Sequence, residues 1–529
     1  MRSSRLVCAL VCAAACGLSV SHAVAANLYT QGNTFTSDSH YVSTTFFYWN
    51  TATTGQVNGI WQPLGGRESW TGLPDYWRGE IKQMMAANID VIQPFTVPEW
   101  AGWGQQLANF FTAYGQLRAE GYNVPKIAPF QTACGDLGWT PGAFKQTIDV
   151  ATTAGKDAFV NQFNYFFSEY YAANTDRYAD SYIAQIDGRV LLSNPDIVAN
   201  AVWPYGVTNA AALTRSDIQT RLTAALGAEH PLFADLANRP NNGIFVSNSI
   251  NYALPIADEE LVQYQGYSPF EDNGGIHGRW AATVMPGFWQ PAEPTWPVMQ
   301  RNGGDTYRGG WASVNALQTE HDVKHVYVQS WNEYGEGSGI FAANPVPQIP
   351  DGDPHNDTWS HTNDPFEYIK TTAEFARHFN DTPDLDSSIL WTNLPTRMKP
   401  GETGTYQVVV RNDGDLSWSG AAGFAFTELG DSTMFTAGSV VIDDTGNEIP
   451  VYGGIFRGRP VTFDVTITAP TTPGEYTTNW SMIVGGIGAF GDGLTLSIAV
   501  PEPSSALLML CAMLAFAAFR AVRCRKPHI

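Results

Sequence analysis

Cysteine is nearly absent from the part of this 529-residue chain that would build a core. Cys8, Cys12 and Cys16 lie in an apolar run at the start and Cys511 and Cys524 in another at the end, which leaves Cys134 alone between them. No disulfide can form within that central part, so its stability has to come from burial of apolar surface. H-E-x-x-H and C-x-x-C arrangements are missing, and with them any sign of metal-dependent chemistry or of a cofactor. There is no G-x-S-x-G around which to build a serine hydrolase. Positive charge is scarce as well: 29 Lys and Arg stand against 50 Asp and Glu, a formal net charge of −21. Without Arg2, Arg5, Arg520, Arg523, Arg525, Lys526 and Glu502 at the two ends it falls to about −26. So acidic a surface repels nucleic acid and anionic membranes. It also disfavours strongly anionic polysaccharides unless a basic pocket is built locally, and no Arg cluster suited to uronates is present.

The two ends read as addresses. Arg2 and Arg5 precede an apolar run from Leu6 to about Val20, followed by Ala23-Val24-Ala25. That pattern predicts a secretory signal over residues 1–25 with cleavage after Ala25, because the run is too short to span a bilayer. Residues 500–529 begin with Pro501-Glu502-Pro503, continue through an apolar stretch from Ala506 to Phe519 and close on basic residues. They predict a transmembrane helix over 505–522 with its basic end in the cytoplasm. The three parts in this order resemble the PEP-CTERM sorting tail of Gram-negative bacteria. The resemblance implies transient anchoring in the inner membrane, a membrane protease that cuts near the Pro-Glu-Pro, and release to the cell surface or exterior. Beyond that helix no membrane contact is expected, and the released protein is expected to be a monomer.

Between the ends the texture changes once. Over residues 26–383, short apolar runs at 43–50, 89–95, 124–130, 189–194, 243–249, 281–288 and 325–331 alternate with helical segments such as 76–88 and 107–121. Runs apolar throughout suit strands buried on both faces, and their alternation with helices predicts a parallel α/β fold. A further strand near "LVQYQGYSP" is poorly marked. Eight strands would close a (β/α)8 TIM barrel; an open doubly wound sheet is disfavoured because no Gly-rich phosphate loop follows the first strand. Over residues 384–499 the runs are short and alternating, separated by turns such as "NDGD" and "PTTPGEY", which predicts an antiparallel β-sandwich. It resembles bacterial Ig-like modules, with Trp418 and Trp480 expected in the core between the sheets.

One stretch carries the chemistry. "VYVQSWNEYGEGSGI" (326–340) begins as a buried strand and breaks into a loop holding Trp331, Asn332, Glu333, Tyr334 and Glu336. At the C-terminal end of a barrel strand such a loop lies at the reactive mouth. Two carboxylates in one site cannot ionise equally easily, which leaves one as a proton donor and the other as a base or nucleophile. Glycoside hydrolysis requires such a pair. Trp331 and Tyr334 would offer flat faces to sugar rings.

"SWNEYGEGSGI" resembles the strand-8 signature of glycoside hydrolase family 99 and its relatives, and "FFYWN", "YIAQIDGRVLLSN", "VMPGFWQ" and "RNGGDTYRGGWASVNAL" extend the likeness over most of residues 26–383. It implies retaining, endo-type cleavage of an α-linked polysaccharide or glycan. It also implies Glu333 as base on a sugar 2-hydroxyl, with Glu336 as acid and then base. The chain departs from the mannan-active members by Gly335 between the two acids, by Trp289, and by the absence of His-x-Glu after "KIAPFQT", so the sugar is left open. Tyr48, Trp49 and Trp289 are further candidate platforms, and Glu99, Gln131, Asn248, Arg301 and Tyr307 candidate hydrogen-bonding partners of the substrate. The oxygen-rich loop 351–364 lacks the spacing of a calcium loop and reads as a solvated turn. A catalytically inactive carbohydrate-binding or matrix protein on the same barrel is the alternative, and a polysaccharide lyase a second one.

Overall fold

The computed structural model describes residues 35–36, 38–53, 59–96, 104–131, 148–166, 182–186, 189–193, 207–209, 232–235, 267–269, 280–289, 298–318, 323–347, 357–430, 440–441 and 454–502, with isolated positions at 212–221 and 513–514. The expected signal, the strand at 243–249 and nearly all of the expected tail helix lie outside them. Among the described residues no helix is long and apolar enough to cross a membrane. The chain divides into two compact units, one of residues Met1–Asp384 with Ile449–Tyr452, the other of Leu385–Glu448 with Gly453–Ile529.

The first unit is α/β around a mainly parallel sheet. Strand Tyr41–Phe46 lies at its centre, with Val323–Val328 parallel on one side and Val91–Thr96 parallel on the other. Trp280–Val284 continues the sheet beyond Val323–Val328. Lys126–Ile127 and Phe130–Gln131 continue it beyond Val91–Thr96, followed by Arg189–Ser193 and Leu232–Asp235. The last parallel strand in the chain thus pairs with the first. The weakly marked segment becomes Tyr267–Pro269, an antiparallel edge against Trp280–Val284. Within "YIAQIDGRVLLSN", Gln185–Ile186 pairs antiparallel with Arg189–Ser193.

All six residues of Tyr41–Phe46 and of Val323–Val328 are buried. Ser43 Oγ donates across the sheet to Gln93 Oε1 at 3.1 Å and lies 2.6 Å from His325 Nε2. Helix Pro74–Ala86 starts on a proline that lacks an N–H the first turn cannot use. Its buried stripe is Trp77, Glu80, Ile81, Met84 and Met85, at helical spacing. Glu80 is the carboxylate within that apolar face.

The second unit stacks two antiparallel sheets. Ser387–Thr392, Thr403–Asn412 and Pro460–Thr468 form one; Val440–Val441, Ala425–Leu429, Gly474–Val484 and Gly488–Val500 form the other. Val408, Val410, Phe463 and Val465 of the first meet Phe426, Trp480, Met482 and Ile498 of the second in one apolar core. Phe426 stacks on both Phe463 and Trp480, at 5.4 and 5.6 Å between ring centres. Trp480 is wholly buried. Trp480→Ala is expected to destabilise this unit by roughly 3–5 kcal/mol, read as a lower midpoint in guanidinium unfolding followed by tryptophan fluorescence.

Candidate active site

The Val323–Val328 strand hands its chain to the site through bonds on both sides. Gln329 N–H donates to Val284 O at 3.0 Å and Trp331 N–H to Thr45 O at 2.8 Å, so sheet pairing outlasts the regular strand. Asn332 then fastens the loop to the end of Tyr41–Phe46. Its Oδ1 accepts from Phe47 N–H at 2.7 Å and its Nδ2 donates to Phe47 O at 3.1 Å, as a backbone peptide would. Asn50 Nδ2 donates to Asn332 O at 3.1 Å. With both amide atoms engaged and the side chain buried, Asn332 cannot serve as the substrate contact expected of it.

Trp331 is likewise enclosed rather than presented to a sugar. It has no exposed surface, and its indole N–H donates to Glu80 Oε2 at 2.7 Å. Tyr334 is packed by Trp70 at 5.6 Å between ring centres and by the Arg67 guanidinium 4.5 Å from its ring; its hydroxyl bonds with Gly59 O and Gln62 Nε2. Arg301 spreads between the Trp359 and Tyr368 rings, 4.3 and 4.5 Å away, and its Nη2 donates to Gly337 O and Gly339 O at 2.7 Å each. It shapes the turn after Glu336 from behind. Tyr307, wholly buried, bonds Thr372 Oγ1 through its hydroxyl at 2.9 Å. Trp331, Tyr334 and Tyr307 thus build the wall of the site as packed rings. Arg301 is held between two rings and through Nη2, while its Nε and Nη1 find no hydrogen-bond partner among the described residues.

Glu333 and Glu336 remain. Glu333 is nine-tenths buried, its N–H donates to Ser330 Oγ at 2.9 Å, and its Oε1 finds no hydrogen-bond partner among the described residues. Glu336 is half-buried, and its carbonyl accepts from Trp289 N–H at 2.8 Å. Burial raises the pKa of Glu333 well above the usual carboxylate range, and the charge of Glu336 pushes in the same direction; the Gly335 N–H and the Arg67 guanidinium oppose this. Burial alone lifts Glu336 to about 7. Two such acids titrate as a pair and hold a proton at neutrality. Gly337, at φ 61°, turns the chain where a Cβ would come 3.3 Å from Trp289 O.

Tyr48, Trp49 and Trp289 are buried at 2, 7 and 7 % exposure, so Trp49 and Trp289 keep an edge open comparable to that of Glu333. Trp49 belongs to an aromatic row across the strand ends. It meets Phe47 at 5.3 Å and Phe95 at 5.4 Å; Phe95 meets Phe130 at 5.4 Å, and Phe130 stacks on Tyr327 at 5.6 Å. Tyr327 senses the Glu336 charge, which with burial pushes its phenol upward. This row carries the apolar lining from Trp49 to beneath Glu336. Phe47, Phe95, Phe130 and Tyr327 were not singled out in the sequence, although each lies on or just beyond a strand of the sheet, the signal that would have found them. Arg67 and Glu80 were missed too, since nothing local marks residues that reach the site from a loop and a helix far upstream. Glu99 and Asn248 lie outside the described residues; Gln131 ends the short strand Phe130–Gln131.

Among the described residues no three His, Cys, Asp or Glu side chains gather as a metal site. The arrangement can hold, donate and accept a proton at two carboxyls set among aromatic side chains.

Arg301→Lys is expected to lower stability by about 2–4 kcal/mol, because one ammonium cannot reproduce two carbonyl bonds and two ring contacts. A thermal melt of that variant, beside a control at an exposed helix position such as Gln116→Ala, reads the difference.

A family model described as an Ig-like domain from next to BRCA1 gene matches residues 394–500. No curated protein matches the chain. Among solved structures, a family 99 endo-α-mannosidase from Bacteroides thetaiotaomicron bound to bis-tris-propane aligns at 12% identity over 64% of this chain and 97% of its own, with a TM-score of 0.37. A family 30 subfamily 8 xylanase from Clostridium acetobutylicum aligns at 13% identity over 82% and 98%, with a TM-score of 0.29. A β-glycosidase from Bacteroides vulgatus aligns at 11% identity over 88% and 50%, with a TM-score of 0.30. Likenesses at these TM-scores establish neither fold nor function, so the chemistry has to be read from the side chains of the site.

Proposed function

We propose that the chain is an exported glycoside hydrolase that cleaves an α-linked polysaccharide or glycan with the Glu333–Glu336 pair, on a first unit whose parallel sheet closes as a (β/α)8 barrel. The observation that carries this reading is the Glu333 carboxyl: buried, lacking a partner at Oε1 among the described residues, and sharing its site with a second acid held up to about 7. An unsatisfied buried carboxyl costs stability, as sites do that are built for a ligand rather than for the fold. Pairing of the last parallel strand with the first is the order a closed barrel requires, and it would place the loop after Val328 at the C-terminal mouth.

The roles follow the resemblance to family 99, with Glu333 as the base and Glu336, held up to about 7, as the acid that protonates the leaving oxygen. Arg67 and the Gly335 N–H favour ionised Glu333, against the larger effect of its burial. Retention of configuration follows if Glu333 takes the proton of the sugar 2-hydroxyl as that hydroxyl's oxygen displaces the leaving group at C1, and water then reopens the anhydro ring at C1. Glu336, having given its proton to the leaving group, takes one from this water while Glu333 returns its proton to the 2-oxygen. Export through residues 1–25 and sorting through 500–529 complete the reading.

Product analysis on a panel of α-mannans, α-glucans and algal polysaccharides tests it. New reducing ends without an ultraviolet-absorbing unsaturated product are expected. An unsaturated product would make the enzyme a lyase, and tight binding without any product would make it a binding protein.

A further inference from the structure

We infer that the outer face of the three-stranded sheet in the second unit is a binding platform for a neutral polysaccharide chain, separate from the carboxylate pair. The register defines that face. Tyr406, Val408 and Val410 contribute to the core between the sheets, so Thr403, Thr405, Gln407 and Val409 point the other way. Directly across from them stand Thr468, Thr466, Asp464 and Thr462. The bulge at Leu390 sets Trp391 opposite Val409, on the same outer face, while Ile389 opposite Val410 packs into the core. In regular pairing Leu390 would have stood opposite Val409 and Trp391 opposite Val408, facing inward.

The face therefore holds a partly buried indole beside Val409 at one end. From there a strip of neutral hydrogen-bonding groups runs for about 20 Å along the strands. Thr403 and Thr468 hydroxyls lie 2.9 Å apart, Thr405 and Thr466 3.0 Å, and Gln407 Nε2 donates to Asp464 Oδ1 at 3.2 Å. Each paired hydroxyl keeps a further donor or acceptor for a ligand.

This chemistry selects its occupant. A pyranose offers a C–H face to an indole and hydroxyls to Thr, Gln and Asp side chains. Polyanions are disfavoured by Asp464, and Arg411, further along the same strand, is taken by Asp413 at 2.6 Å. Among the described residues the apolar side chains on this face are few, Trp391 and Val409 foremost, far short of the roughly 800 Å² per partner of a stable interface.

Affinity electrophoresis of the full chain carrying Glu333→Gln, in gels containing neutral mannan, neutral glucan or, as the anionic control, alginate, tests the inference without turnover. Retardation by at least one neutral polysaccharide is expected, with Kd rising about tenfold or more on adding Trp391→Ala. Thr405→Arg, which obstructs the strip without touching the core, should weaken retardation as well. Thermal melts of both variants should match the parent, since neither residue faces the core. The inference is overturned if no neutral gel retards the chain, if alginate retards it equally, or if both variants bind like the parent. Retention of binding by the Glu333→Gln parent separates this surface from the catalytic reading, which can fail without it.

Discussion

Replacing Glu336 by Gln is expected to lower kcat/KM by about 10³-fold on natural glycans, the scale of losing a positioned acid and base. Gln keeps the volume and removes the proton that must reach the leaving oxygen. Substrates with a good leaving group need that proton less, so on an activated aryl glycoside the first step should recover most of its rate. Glu333→Gln should show the same loss without that recovery, because a base is required whatever the leaving group. The two variants should melt no lower than the parent. Glu333 is an unsatisfied buried carboxyl, and its neutral isostere relieves the site of that cost. A catalytic group that is paid for in stability behaves this way; a structural one would not.

The second large effect concerns pH. Burial raises the carboxyl pKa of Glu80 and of Glu336 to about 7 from an ordinary 4.5, and raises that of Glu333 further. In each case the folded chain binds a proton more tightly than the unfolded one. Stability from these groups is therefore fully present below pH 4.5 and is lost as pH rises through 7 and beyond. Each group at 7 contributes at most about 3 kcal/mol to that loss. Guanidinium unfolding of the first unit should give a midpoint higher at pH 5 than at pH 8. Glu80→Gln should flatten the difference, because its side chain stays neutral across the range and can still accept from Trp331 Nε1 through its amide oxygen. An unchanged pH dependence in Glu80→Gln would mean that Glu80 titrates as an ordinary surface carboxyl.

Glu80 also shows where reading the sequence reached its end. The carboxylate pair was legible because both acids sit three residues apart just past an apolar strand, and local spacing suffices to place them in one site. The first and last parallel strands were legible from the apolar runs at 43–50 and 325–331; they form as Tyr41–Phe46 and Val323–Val328, buried along their whole length. What spacing cannot show is which way a polar or aromatic side chain faces once the strand ends. Asn332 looked like a ligand to sugar and is instead a peptide mimic on Phe47; Trp331 looked like a platform and is instead turned onto a helix. Both choices are set by partners some 250 to 285 residues away, Glu80 and Phe47, which only the fold brings close. The sandwich shows the converse. Trp418 and Trp480 were expected in its core from the resemblance to Ig-like modules, whereas Trp391 escaped notice because a single bulge decides its face.

The most direct test of the central claim is reducing-end release by the wild type, Glu333→Gln and Glu336→Gln, side by side, on one glycan found active in the panel. The account predicts turnover by the wild type and a fall of about 10³-fold in each variant, with all three proteins equally folded. Turnover that survives both substitutions would contradict it and place the chemistry elsewhere in the chain.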